Sequence, residues 1–566
     1  MLSINSRRKL CMALLATALW AAALPQRAGA ERPRVYALTD VRIVTAPGQV
    51  IESGTIVLRN GLIEAVGTGI AVPEEAQVIQ GQEGWTVYPA FLDAAARVAV
   101  KEEEGQQGQG GFNPAVLLQS LQEGQETPTG SPHELSLIHP EAAVVEELDF
   151  SDNRIQRHRQ AGFAAAHVLP AQGILKGRSA VVALRQGEAK QLIIRPRLAQ
   201  VASLQSGGFF SGYPTSKMGA VAAMRQAFYD AQRQRDWVER YRNNPVGMQR
   251  PIFKTSDEPL MAAARGETPV LFTASSPLDF DRFKMIADEF GLTGMALGRS
   301  LADPPDRIKA ASMPVLLPLE MPQKPKLEDE DEQREVGLEE MQAYLRAPTL
   351  PRLLKEAGIE FALVSLGMDS VGDVAENLHK ITSQGGLPQE DALAALTTVP
   401  ARLLGLETVL GTLEAGKIAN LMVVDGELFA EKPSLRYLFV DGIHEEFEAE
   451  EAKGDPHAQV DPRGEWDVTT QVMGRSNQST WTIEGSPGNY SGKTESDRGS
   501  RDFDSVELQG NLLRVRLPGP GGRSIEAEVV IEGETFEGES EINTPRGSIT
   551  IKLSGKRTSK PQGGAR

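Results

Sequence analysis

Asp93 closes an apolar run that reads Val87-Tyr88-Pro89-Ala90-Phe91-Leu92. A carboxylate at the tip of a buried strand stands where a β/α barrel keeps its chemistry. Arg97 follows four positions on, and His167 ends a second apolar run, Phe163–Leu169. Lys176, Arg178, Arg299, Glu320 and Asp369 fall near other expected strand ends or in the loops beyond them. The candidate catalytic residues are therefore Asp93, Arg97, His167, Lys176, Glu320 and Asp369, which could supply acid, base and electrostatic roles. Each also has a plain reading as a structural or surface ion pair. Arg97 keeps its charge and would repel a divalent ion placed beside it; paired with Asp93, it would neutralise that carboxylate.

Other chemistries find little material. The seven histidines are His133, His139, His158, His167, His379, His444 and His457, and none lies between His167 and His379. His133 and His139 sit in a polar insertion and read as surface residues; His167 reads as a packed ring or as part of a pocket lining. The single cysteine, Cys11, lies in an N-terminal segment expected to be removed, so the mature chain has no thiolate ligand or nucleophile. No G-x-S-x-G elbow is present. Gly207-Gly208 and Gly519–Gly522 lack the helix start with Lys-Ser/Thr that a phosphate loop needs.

The elements that must position these residues alternate. Strands are expected near Phe163–Leu169, Val270–Ala274, Thr293–Leu297, Pro314–Leu319 and Glu360–Leu366, with helices such as Phe280–Phe290 between them, a β/α pattern. Short strands occupy 34–85, with Asn60-Gly61 marking a tight hairpin. Similar strands return after Leu413, behind a helix read as Gln389–Leu404. From Asp455 the composition changes. A polar linker gives way to eight short strands in hairpin rhythm, from Gly464 to Leu553, which suggest a small antiparallel barrel or sandwich. Trp466, Trp481 and Tyr490 in its early strands read as core or docking surface ahead of a binding platform.

Several of these segments carry a resemblance. The run from Pro89 through Phe91-Leu92-Asp93 resembles the first barrel strand of the amidohydrolases, in particular the imidazolonepropionase-like branch, whose pattern is PG-hydrophobic-IDxHxH. GTLEAGKIANLMVVDG, with Asn420 in place of an aspartate, and DALAALTTVPARLLGL resemble later family motifs, as do Gly173–Ser179 and Tyr213–Gly219. The resemblance covers about 34 to 450. It implies an α/β fold: a TIM-type (β/α)8 barrel over 86–409 and a composite β-sandwich from 31–85 and 410–450. After these come a linker at 451–462, an antiparallel β domain at 463–557 and a disordered tail at 558–566. It also implies a zinc or other divalent site that activates water. Yet Ala95 and Arg97 stand where the HxH pair belongs. Thr273, Leu297 and Leu366 occupy the positions of the later histidines and aspartate. No metal or other cofactor is therefore expected, unless carboxylates or unrecognised ligands rebuild the site.

The hydrophobic fraction, 40 %, and charged fraction, 24 %, are those of a globular chain. Arg7, Arg8 and Lys9 precede an apolar run to Leu24, and Ala28-Gly29-Ala30 offers a cleavage site, so 1–30 reads as a signal peptide and the protein as exported. Ser6-Arg7-Arg8 allows a twin-arginine route. No later segment is long and apolar enough for a membrane span. A net charge of −17 disfavours nucleic acid and anionic membrane surfaces. Gly105–Gly111 reads as a flexible insertion and Lys324–Arg334 as a solvated acidic loop. Three functions stay open. The chain is an exported, metal-depleted amidohydrolase relative that binds a small molecule or a protein partner. Alternatively it hydrolyses non-peptide C–N bonds with an atypical site, or it is a scaffold whose β domain binds glycan, peptide or protein. An active amidohydrolase homologue or a second copy of the chain would be a natural partner.

Overall fold

The computed structural model describes residues 35–101, 133–205, 213–447 and 458–559, apart from isolated positions and short stretches, chiefly 323–335 and 519–523. The expected signal peptide, the Gly105–Gly111 insertion, nearly all of Lys324–Arg334 and Asp369 lie outside the described residues. The chain divides into two compact units, Met1–Phe447 and Glu448–Arg566.

In the first unit, strands from both ends of that unit share one sheet. β1 (Val35–Ala46), β2 (Gln49–Arg59), β3 (Leu62–Gly67), β4 (Gln77–Gln80) and β5 (Trp85–Pro89) come from the N-terminal side. After the barrel strands, β16 (Leu421–Asp425), β17 (Ser434–Val440) and β18 (Ile443–Glu446) return to it. The order is β18-β17-β16-β5-β1-β2-β3, with β4 beside β1. Asn60 and Gly61 both take positive φ, 51° and 83°, the geometry that lets a two-residue turn follow the strand twist. Alternate residues Tyr36, Leu38, Ile56, Leu58, Leu421 and Val423 bury one face, on which Phe439 meets Tyr36 edge-on at 5.7 Å. The apolar run before Asp93 therefore serves two sheets. Trp85–Pro89 belongs here, Ala90 is the joint, and Phe91 begins the barrel.

The barrel strands are β6 (Phe91–Ala96), β7 (Phe163–Val168), β8 (Leu175–Arg178), β9 (Ala180–Ala183), β11 (Gln200–Ser203), β12 (Val270–Thr273), β13 (Gly294–Leu297), β14 (Val315–Pro318) and β15 (Phe361–Val364). Between β9 and β11, β10 (Ile193–Arg195) hangs on the edge of β9. β6 runs parallel to β7, and β11 through β15 are parallel in sequence order. The remaining place corrects the expectation of eight parallel strands among the described residues. There the chain runs antiparallel, β8 against β11 and β9 against β7. The reason is length: the six residues between Val168 and Leu175 cannot hold the crossover that a parallel return requires. β15 meets β6 where the Leu366 N–H donates to the Ala95 carbonyl at 3.0 Å.

The helix expected over Gln389–Leu404 is two helices, Gln389–Leu396 and Thr398–Leu403. Pro400 has no N–H to give the Leu396 carbonyl, and the break falls at Thr397, whose φ of −131° is not helical.

Among the described residues, the second unit contains nine strands: β19 (Gly464–Val472), β20 (Arg475–Ser486), β21 (Asn489–Ser496), β22 (Gly499–Asp502), β23 (Ser505–Gln509), β24 (Leu512–Pro518), β25 (Ser524–Glu532), β26 (Thr535–Thr544) and β27 (Gly547–Ser559). Setting β22 aside, each pairs antiparallel with its sequence neighbour. β27 returns to β19 and β20 pairs β21, so the ring closes as an eight-stranded up-and-down barrel. Trp466 and Trp481 are buried and pack on Phe536 at 5.2 and 5.4 Å. These tryptophans are core; the indole N–H of Trp466 is spent on the Pro462 carbonyl at 2.9 Å. Val460 also packs on this core, so the last residues of the expected linker belong to the β unit.

Candidate functional site: the barrel mouth

The C-terminal ends of the parallel strands bring the expected ligand positions together. Thr273 and Leu297 stand side by side on β12 and β13, and Leu366 lies against Ala95. Their side chains do not form a cage. Ala95 and Leu297 belong to one apolar cluster with Leu92, Val201, Leu271 and Leu316, and Leu366 packs on it half-buried. Thr273 gives its hydroxyl to the Ala202 carbonyl at 3.2 Å. Among the described residues, no three His, Cys, Asp or Glu side chains converge as a metal site would require. Methyl and isobutyl groups offer a metal no lone pair, so the residues present do not fit a catalytic divalent ion.

Asp93 does not pair with Arg97, contrary to the ion pair considered for them. The carboxylate is completely buried, whereas the Arg97 side chain is exposed. Asp93 Oδ1 accepts the N–H groups of Ala95 and Ser365, each at 3.2 Å. Oδ2 has no hydrogen-bond partner, and the Nε2 of His158 stands 3.8 Å from it. His158 lies on the helix Arg154–Gln160. Its Nδ1–H donates to the Arg154 carbonyl at 2.8 Å, so Nε2 must accept from the Ser365 hydroxyl at 3.1 Å. Burial pushes Asp93 up to about 7, against the lowering pull of the two backbone amides. Burial holds His158 down at about 4. Asp93, Ser365 and His158 thus form a sealed polar joint that ties the first and last barrel strands to a covering helix. Nothing in the sequence pointed to His158 or Ser365, because their partners lie 207 and 272 positions away.

His167 is a second joint. It is fully buried; Nδ1–H donates to the Ala94 carbonyl at 2.7 Å and Nε2 takes the Ser179 hydroxyl at 2.6 Å. Ser179 sits where the chain passes from β8 to β9, and its Oγ accepts the Ala199 N–H at 3.1 Å. With both nitrogens committed and its pKa driven to about 4 by burial, the ring is structural, not a pocket residue. His139, partly exposed, faces Glu141 at 3.8 Å. Glu320 follows β14 and is partly exposed.

The cations at the mouth divide in two. Arg299 is bound to the buried carboxylate of Asp303 at 2.6 Å, and Lys217 to that of Asp279 at 3.1 Å. Arg178, further down β8, donates to the Glu141 carbonyl at 3.1 Å. Lys176, near the mouth end of β8, is half-buried, and burial followed by the neighbouring Arg97 charge lowers it to about 8. A separate cleft of about 440 Å³, lined by Ala183, Ile193, Arg195, Leu406, Val409 and Ile418, opens beside the N-terminal end of β7, away from this face.

The β/α barrel is flanked by a sheet drawn from both ends of the first unit. The model of the amidohydrolase family matches residues 344–474. The crystal structure of an amidohydrolase from Thermotoga maritima matches with a TM-score of 0.57 at 19 % identity, over 72 % of this chain and 99 % of that one. Phenylurea hydrolase B matches with a TM-score of 0.43 at 15 % identity, over 72 % and 96 % of the two chains. Molinate hydrolase gives 0.43 at 13 % identity, over 73 % and 94 %. No curated protein matches. Residues 344–474 are thus similar to the amidohydrolase family, and the solved amidohydrolase shares the fold.

Proposed function

We propose that this protein is an exported amidohydrolase relative of the imidazolonepropionase-like kind that binds a ligand or a partner at its barrel mouth without metal-assisted hydrolysis. One observation carries the reading. The positions that the resemblance assigns to metal ligands are Ala95, Leu297 and Leu366, which pack in or on one apolar cluster, together with the exposed Arg97 and the committed hydroxyl of Thr273. Catalytic zinc needs about three protein ligands and an open position. The polar groups nearest in sequence, Asp93 and His167, are spent on holding strands together. Their burial removes them from contact with any substrate at the mouth.

The test is elemental analysis of the full mature protein purified without chelator, alongside amide and carbamate hydrolysis assays. The expected result is substoichiometric zinc, iron and manganese, with no hydrolysis above the buffer rate. One tightly held ion per chain, lost on replacing residues of the barrel mouth, overturns the reading in favour of an atypical hydrolase.

A further inference from the structure

We infer that the cleft between β10 and the chain following the helix Thr398–Leu403 is a binding site for a small aliphatic carboxylate. The acid group meets Arg195, and the aliphatic chain lies among isoleucine, leucine and valine side chains. The cleft opens beside the N-terminal end of β7, apart from the barrel mouth, and its ligand does not depend on whether the mouth hydrolyses anything.

The cleft is a built space. Its volume of about 440 Å³ falls within the range of about 300–1,000 Å³ typical of small-ligand sites. Ile193 and Ile194 line it from β10, which has β9 on one side and no strand on the other among the described residues. Leu406, Val409 and Ile418 line it from the later segment. Backbone bonds fix both stretches. Ile193 pairs with Val182 across the sheet. The Leu406 N–H donates to the Ala401 carbonyl at 2.7 Å, and the Ile418 N–H to the Val409 carbonyl at 3.0 Å. The walls are therefore in place before a ligand arrives, and little of the ordering cost of binding falls on the protein. Ile193, Ile194, Val409 and Ile418 are each only partly buried, so each has apolar surface left for a ligand to cover.

Arg195 supplies the charge. Its Nη1–H donates to the Gly405 carbonyl at 3.2 Å, which holds the guanidinium against the turn leading into Leu406. Arg195 and Gly405 both line the cleft. Among the described residues no carboxylate pairs with Arg195, and its Nε and Nη2 edge is left for two oxygens of one acid group. The acid in the lining, Asp441, is already matched, since Arg185 Nη2 reaches its Oδ2 at 2.6 Å. One uncompensated cation beside aliphatic walls suits an anion with an aliphatic chain. A carboxylate fits better than a phosphate, because the lining holds no second cation to answer a second negative charge.

Isothermal titration calorimetry on the full mature chain, at constant ionic strength, tests this with acetate, butyrate and hexanoate. The controls are 1-hexanol, hexylammonium and inorganic phosphate. Hexanoate should bind saturably and one to one. Affinity should rise from acetate through butyrate to hexanoate, by roughly tenfold at the last step as two more methylenes are buried. Arg195→Met should weaken hexanoate binding at least tenfold, and Arg195→Lys less, because lysine keeps the charge without the fork. Val409→Asp sets a like charge in the wall and should also weaken it at least tenfold. Circular dichroism checks that each variant is folded. Arg195 is exposed, so its variants carry the test if Val409→Asp does not fold. The inference is overturned by absence of hexanoate binding, by equal affinity for acetate and hexanoate, or by affinity unmoved in Arg195→Met. Hexanol or hexylammonium binding as tightly as hexanoate, or phosphate binding more tightly, also overturns it.

Discussion

At the scale of single residues, the acidic and imidazole groups closest to the expected active site act as fasteners. Asp93 illustrates the energetic consequence. Its folded pKa of about 7 lies above the unfolded carboxylate value, so the native state retains a proton that the unfolded chain gives up. Its contribution to stability is therefore greatest below about pH 4 and falls as pH rises to about 7. His158 runs the other way: its folded value near 4 is below that of a free imidazole, so stability falls as pH drops from about 6.5 to 4. Asp93→Asn keeps an oxygen for the Ala95 and Ser365 amides and removes the buried charge. It should raise stability by on the order of 2–4 kcal/mol at pH 8 and change little at pH 4, read from urea unfolding at both values. Equal effects at the two pH values would contradict a buried, proton-retaining carboxylate. A second variant addresses the mouth. Ala95→His with Arg97→His should not produce tight zinc binding, because Thr273, Leu297 and Leu366 still supply no competent ligand. Stoichiometric zinc in that double variant, measured after dialysis, would show that other ligands are in place.

At the scale of elements, close packing decides which small residues can change. In the second unit, the Phe536 ring fills the space where Gly555 of β27 lacks a side chain; a Cβ there would meet ring carbons at 2.2 Å. Phe536 is itself held between Trp466 and Trp481. The ring has no free direction in which to retreat. Gly555→Ala should cost about 1–3 kcal/mol, visible as a lower urea midpoint with near-UV dichroism altered at the tryptophans. A neutral substitution would mean that the barrel core is looser than this packing. The helix pair at Thr397 makes the same point about local rules: a proline three residues on imposed a break that the apolar period over 389–404 concealed.

At the scale of the whole molecule, each unit has its own core. The apolar cluster of the second unit draws only on residues from Val460 onward. Arg557 lies 4.2 Å over the Trp466 ring and donates to the Asp461 carbonyl at 2.6 Å, so the start and end of this unit are fastened to each other. A fragment of residues 458–559 should therefore fold alone, and a chain ending at Phe447 should keep its barrel. Circular dichroism and a cooperative thermal transition in each piece check this. A fragment begun at Arg463 should be less stable, having lost Val460, Asp461 and the Pro462 carbonyl. An unfolded 458–559 fragment would show that its core needs the first unit. Among the described residues, no helix is long and apolar enough to cross a membrane. Much of the architecture was legible in the sequence because its signals are local. The Asn60-Gly61 turn, the apolar strand runs and the hairpin rhythm after Gly464 each depend on neighbours a few residues apart. The identities Ala95 and Arg97, at positions the resemblance assigns to histidines, can likewise be read from one strand. Tertiary structure alone decided what the surviving polar groups do. Asp93 and His167 could have faced a substrate or a packed seam, and that choice depends on Ser365, His158 and Ser179 meeting them through contacts that no sequence period encodes.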